Sequence, residues 1–242
     1  MRKSTSPDRK TPTLRLFPKR KSSMATQEKC GKNPPLLRKK LLWTAIFMAF
    51  NGLGYLLTSA YPLFEFYHLD YTPYDQSIPY LPWTALLYIS FYPLMALPLL
   101  LSPNQKLFSK MLKAYFLTSI ISLSIFVLIP TKFDHYPPPS QDIFTTHIMN
   151  PIRKADNYGT NAWPSQHVLF SLLGATLLCC HGYLRTAIPL LLWGIAVSIS
   201  TLTTKQHFIA DVLASLALLP PILIAVHLNE ILYLFQRKEQ KL

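Results

Sequence analysis

Two short stretches of the chain hold residue types that together can move a phosphoryl group. Pro164-Ser165-Gln166-His167 opens one apolar run, and His207-Phe208-Ile209-Ala210-Asp211 opens another. His207 and Asp211 are four residues apart, so on a helix they lie on one side, within reach of each other. A carboxylate hydrogen-bonded to one imidazole nitrogen fixes the tautomer and leaves the other nitrogen as a nucleophile. A second histidine, His167, can protonate a leaving alkoxide and later deprotonate an attacking water. A cation such as Lys205, two residues before His207, can hold phosphate oxygens and neutralise developing charge. Two plainer readings stand beside this one. Histidines near a membrane surface serve as interfacial polar residues, the reading given to His181 and His227. The His207 to Asp211 spacing also suits a metal, with His167, His135 or His147, although the adjacent Lys205 would repel a cation. Asp211 leads straight into an apolar helix, where an acid is costly and by default functional.

The elements that must position these residues are membrane helices. Half of the 242 residues are hydrophobic and only 14% are charged, against about 25% in soluble domains. The charge is also segregated. Residues 1–40 hold 13 of the 24 Lys and Arg, with Asp8 and Glu28 as their only acids, so the +13 net charge belongs largely to one segment. This segment lacks periodicity and is expected to be a disordered tail that sets topology and rests on anionic lipid. It lacks the aromatic interleaving that base stacking needs, so no nucleic-acid partner is expected. No apolar stretch follows its first basic residues, which excludes a signal peptide of the usual form; an organelle transit peptide is the alternative. Cys179 and Cys180 lie in an apolar run and read as small hydrophobes, with no disulfide framework.

Crossing the hydrocarbon core takes about 20 mostly apolar residues. Runs of that kind occur at roughly 41–60, 79–101, 111–130, 166–183, 186–204 and 208–229. The expected fold is therefore all-α, a polytopic bundle of six transmembrane helices. Its divisions are a basic tail over 1–40, a membrane domain over 41–235 and a short basic tail over 236–242. The fourth and fifth spans read as a hairpin turning near Gly182, and Pro220-Pro221 should kink the sixth. With six spans, 20 Lys and Arg fall on the side of the tail and four on the other: Lys132, Arg153, Lys154 and Lys205. The positive-inside rule then puts both termini in the cytoplasm. The opposite side receives the loop 61–78, the long loop 131–165 with Tyr136-Pro137-Pro138-Pro139, and the turn near 204–207. His167 and His207 share that side.

At this point the residues resemble a known family. Pro164-Ser165-Gln166-His167 is similar to the P-S-G-H element of the type 2 phosphatidic acid phosphatase superfamily. Ser200 to His207, ending at Asp211, is similar to its S-R-x5-H-x3-D element. The resemblance implies that His207 forms a phosphohistidine, Asp211 orients it, His167 is the acid and base, and Ser165 helps hold phosphate. It implies no metal and no cofactor. Three departures are visible. Thr201 replaces the arginine of the third motif, which passes its phosphate contact to Lys205. Gln166 replaces the usual glycine. Of the K-x6-R-P motif only Lys132 matches, because Pro139 stands at the arginine position; Arg153 or Lys154 are the available substitutes. The Thr204-Lys205-Gln206-His207 run and the stretch Asp75 to Tyr88, with Pro79 and Trp83, resemble the branch that includes inositol phosphorylceramide synthases.

The first functional expectation is hydrolysis of a lipid phosphate at the extracytoplasmic face. The second is transfer of a phospho-head group to an alcohol acceptor. The two differ in whether water or another alcohol resolves the phosphohistidine. A third, supported by the missing arginines, is a non-catalytic membrane scaffold or lipid binder. The expected partners are the bilayer and a lipid phosphate or phospholipid substrate. The expected location is a bacterial inner membrane or eukaryotic endomembrane, with the site on the periplasmic or lumenal side.

Overall fold

A computed structural model of the chain describes residues 34–132, 141–155 and 159–239. The 1–33 part of the basic tail, His135 and the Pro137–Pro139 run lie outside the described residues.

The first long helix, α1, spans Pro34–Ala60. It starts seven residues before the expected span and takes in the end of the stretch assigned to the tail. Within this extension, Lys40 has a defined place. Its ammonium donates to Leu100 O at 3.3 Å and also to Ser102 O, so a cation settles on the carbonyls that end a neighbouring helix. That neighbour is α4, Phe91–Leu101.

The second expected span is built in pieces: the short helix α2 (Pro73–Ser77) precedes it, then come a 3-10 turn over Pro82–Thr84, α3 over Ala85–Ile89, and α4. Next comes α5, Gln105–Leu128, capped by Asn104, whose side chain accepts from Leu107 N at 2.9 Å. The long loop after it is not structureless. It carries a two-residue strand, β2 (Thr131–Lys132), parallel to β1 (Tyr67–His68), then a π-helical turn over Thr145–Met149 and α6 over Asn150–Ala155. The bundle is completed by α7 (Gln166–Cys180), α8 (Leu184–Thr203) and α9 (Ile209–Glu239). The last helix continues through Pro220 and Pro221.

Among the described residues, five helices are long and apolar enough to cross a membrane, and α7 is a shorter apolar helix of 15 residues. At 1.5 Å per residue it is about 22 Å long, less than the ~30 Å hydrocarbon core. Both of its ends have local causes. Ser165 caps its start inside the protein, and Gly182, at φ +80, turns the chain so that Tyr183 N bonds Leu178 O at 3.0 Å.

Its surroundings account for its composition, since α7 is buried on nearly every side. Phe47 of α1 packs edge-on against Tyr115 of α5 and Phe170 of α7, and all three ring centroids lie 5.2–5.6 Å apart. Small residues let backbones approach, as membrane bundles require. A β-carbon placed on Gly194 of α8 would lie 2.5 Å from Ser171 O of α7. Backbone cannot yield as a flexible side chain does, so Gly194→Ala is expected to destabilise the protein by about 1–3 kcal/mol, despite alanine's better helix propensity. Thermal unfolding in detergent reads this out; an unchanged midpoint would mean the α7–α8 contact is loose.

Candidate functional site

The N-termini of α7 and α9 meet. Ser165 N donates to Asp211 O at 3.4 Å, and Ser215 Oγ donates to both Ser165 O (3.0 Å) and Asp211 O (2.7 Å). Ser165 also caps α7, its Oγ accepting from Val168 N at 3.4 Å. At the other end of α1 from Lys40, Asn161 Nδ2 donates to Tyr55 O and Thr58 Oγ1, both at 2.9 Å. The loop leading into α7 is thus fastened to the end of α1 that lies away from its basic start.

The turn between α8 and α9 presents His207. Lys205 adopts φ +54, a left-handed conformation that costs a residue with a β-carbon about 1 kcal/mol and reverses the chain within a few residues. Gln206 N and His207 N then both donate to Thr201 O, at 3.0 and 3.2 Å. Thr201, at the position of the missing arginine, therefore serves as a backbone acceptor. Its hydroxyl donates to Ser198 O at 2.7 Å, back along its own helix.

The spacing of His207 and Asp211 has the expected consequence. His207 Nδ1 lies 3.2 Å from Asp211 Oδ2, which also accepts from Phe208 N at 2.8 Å. Both residues are buried. With Nδ1–H directed at the carboxylate, Nε2 carries the lone pair. The His167 ring has its centroid 5.7 Å from that of His207. It lies against Tyr88 and Phe91, each with its centroid 4.3 Å away. His167 Nε2, Asp211 Oδ1 and both polar side-chain atoms of Gln206 are buried with no hydrogen-bond partner. Buried polar atoms are nearly always paired, so these four atoms are available to accept or donate a hydrogen bond.

The basic candidates divide. Lys205 is buried, with Nζ donating to Asp75 O at 2.6 Å and lying 5.6 Å from the centre of the Tyr71 ring. Arg153 is buried too; its Nη2 donates to Thr204 O at 3.2 Å, and its guanidinium lies over Tyr80. Arg153 therefore reaches the 204–207 turn, whereas Lys205 ties that turn to the first loop. Lys132 makes its contacts elsewhere: Nζ lies 5.9 Å from the Phe66 ring centre, and its backbone pairs with β1 and with Thr160. Among the described residues no group of three or more His, Cys, Asp or Glu is arranged to hold a metal ion.

Two participants were missed from sequence. Asp75, 3% exposed, accepts from Ile209 N through Oδ1 at 2.8 Å and from Thr72 N through Oδ2 at 3.1 Å, while its own carbonyl takes Lys205. It straps the first loop to the start of α9. Thr72 and Asp75 have the spacing of a capping box, a signal that could have placed the helix but not its distant partners. The second is the role of Gln166. Its Nε2 donates to Ser122 Oγ at 2.8 Å, and its Oε1 accepts from Asn51 Nδ2 at 3.0 Å. A glycine there could not join α1, α5 and α7.

The family model described as the PAP2 superfamily matches residues 106–228, which takes in α5 to α9 and the Ser165, His167, His207 and Asp211 cluster. No curated protein and no solved structure matches the chain. With half of the chain matched, and with apolar helices long enough to span a membrane carrying it, the protein belongs to the PAP2 superfamily, whose members are phosphatases or phosphotransferases.

Proposed function

We propose that this protein is a lipid-phosphate phosphatase working through a phosphohistidine. The observation that carries the reading is the pairing of His207, held by Asp211, with a second, half-buried histidine whose ring centroid is 5.7 Å away. In the proposed reaction His207 Nε2 attacks phosphorus and the bond to the lipid oxygen breaks. His167 Nε2 gives its proton to that oxygen. Water then attacks the phosphohistidine, His167 takes a proton from it, the P–N bond breaks and phosphate leaves. Arg153, Lys205 and Ser165, with Lys132 a further candidate, supply phosphate contacts in this reading. Arg153 is the best supported, since its guanidinium reaches the turn that presents His207; Lys205 lies in that turn, with its ammonium on Asp75 O.

We place the site at the periplasmic or lumenal face. The distribution of Lys and Arg supports this, and so does the position of Lys40 at the far end of α1 from the histidines. The Thr204-Lys205-Gln206-His207 run favours a second reading, transfer of a head group to an alcohol, as in the inositol phosphorylceramide synthase-like branch. It uses the same intermediate.

The test is phosphate release and head-group exchange by the purified protein on a panel of lipid phosphates, with EDTA present. Turnover undiminished by the chelator is expected, and the product tells water from an alcohol acceptor. Activity that disappears with EDTA and returns with a divalent cation would overturn the metal-free scheme. A folded protein inert on every lipid would favour a scaffold.

A further inference from the structure

A cavity of about 280 Å³ lies between α1, the α3–α4 segment and the start of α7. Its lining includes Gly52 and Tyr55 of α1, Tyr88 of α3, Phe91 and Met95 of α4, and His167. No Lys, Arg, Asp or Glu lines it, so it offers a phosphate nothing in the way of countercharge. Gly52 is exposed, whereas Tyr88 and Phe91 are buried. The cavity therefore runs from the outer surface of a membrane-spanning helix inward to a histidine whose Nε2 is buried without a partner.

We infer that this cavity holds an acyl chain of the lipid phosphate substrate. The inference rests on the function proposed above and adds the direction of binding. In that reaction His207 bonds to phosphorus while His167 protonates the leaving lipid oxygen. The hydrocarbon attached to that oxygen must then lie on the His167 side, and that is the side where the cavity is found. Apart from His167, and from Asn51 and Gln166, which bond each other, the lining is mainly apolar and aromatic, which suits a hydrocarbon chain and not a head group.

Gly52 is a lining residue with open space beside it. A β-carbon there would meet nothing within 4 Å, whereas one on nearby Gly54 would lie 2.5 Å from Leu123. At Gly54 the neighbour is the flexible end of a side chain; at Gly52 there is open space. Its lack of a side chain leaves room that a larger residue would fill without disturbing the bundle.

The experiment compares wild type and Gly52→Leu on phosphatidic acids with long (dioleoyl) and short (dihexanoyl) chains. The ratio of kcat/KM for long over short chains is expected to fall on the order of ten-fold or more, a specificity change of the size a filled apolar pocket produces. A ratio equal to that of wild type would overturn the inference. A second arm needs no turnover: phosphatidic acid with a diazirine in its acyl chain is photolysed on each protein and the labelled residues are mapped. Labels on Tyr55 or Met95 that Gly52→Leu removes support the cavity as the chain site. Labels confined to other surfaces would overturn it. Should neither lipid be turned over, the proposed reaction fails, and the labelling arm still decides whether the cavity takes a lipid chain.

Discussion

His207→Ala is expected to abolish turnover, lowering phosphate release from any accepted lipid by a factor on the order of 10³ or more while leaving the protein folded. The size follows from removing the atom that forms the covalent bond, since loss of a nucleophile removes the reaction path and not one contact among several. The alanine variant keeps the backbone bond from residue 207 N to Thr201 O, so the turn should persist. His167→Ala should differ in kind. His207 can still attack, but the leaving oxygen departs without a proton and the second step lacks its base. A labelled phosphoenzyme, acid-labile and base-stable as a phosphohistidine is, should form slowly and decay slowly in His167→Ala and be absent from His207→Ala. Residual activity within ten-fold of wild type in His207→Ala would remove His207 from the reaction and leave the family's chemistry to be sought elsewhere in the chain.

The second large effect is expected at Asp75. Replacement by Ala removes the acceptor for Ile209 N at the start of α9 and for Thr72 N and Oγ1. Leaving such partly buried donors unpaired costs about 1–3 kcal/mol, and the negative charge beside a helix N-terminus is lost as well. Thermal unfolding in detergent should record that loss. Asp75 is a positioning residue in this account: it holds the first loop against the segment that carries Lys205 and His207. The kinetic signature should therefore be a fall in kcat of at least about ten-fold with KM little changed, because a small misplacement of reacting groups costs rate more than binding. Asp75→Asn keeps an acceptor oxygen and should recover part of both losses. An Asp75→Ala protein with wild-type kcat would show that the strap matters for folding alone.

Much of this site was legible before any coordinates. The i to i+4 relation of His207 and Asp211 is a property of the helix repeat, so the pair could be read directly, and Nδ1 does lie 3.2 Å from the carboxylate. The apolar runs were equally plain, because lipid forces a spanning segment to be apolar along most of its length. The ends of those runs were harder. Hydropathy registers where a segment could sit in lipid, not where hydrogen bonding stops. Hence α1 is already helical at Lys40, whose ammonium finds carbonyls on another helix, and α7 ends at Cys180, where Gly182 turns the chain.

By itself the sequence determined the class of scaffold, the pairing of His207 with Asp211, and the resemblance to a phosphoryl-transfer family. Local periodicity and solvent preference are enough for that. Only the tertiary structure decided which cations reach the His207 turn, which buried atoms lack partners, and that Asp75 straps the first loop to α9. Asp75 and Ile209 are 134 residues apart, Arg153 and Thr204 are 51 apart, and Asn51 and Gln166 are 115 apart. No local pattern encodes such pairings; they arise when helices pack and each polar group left inside must find a partner.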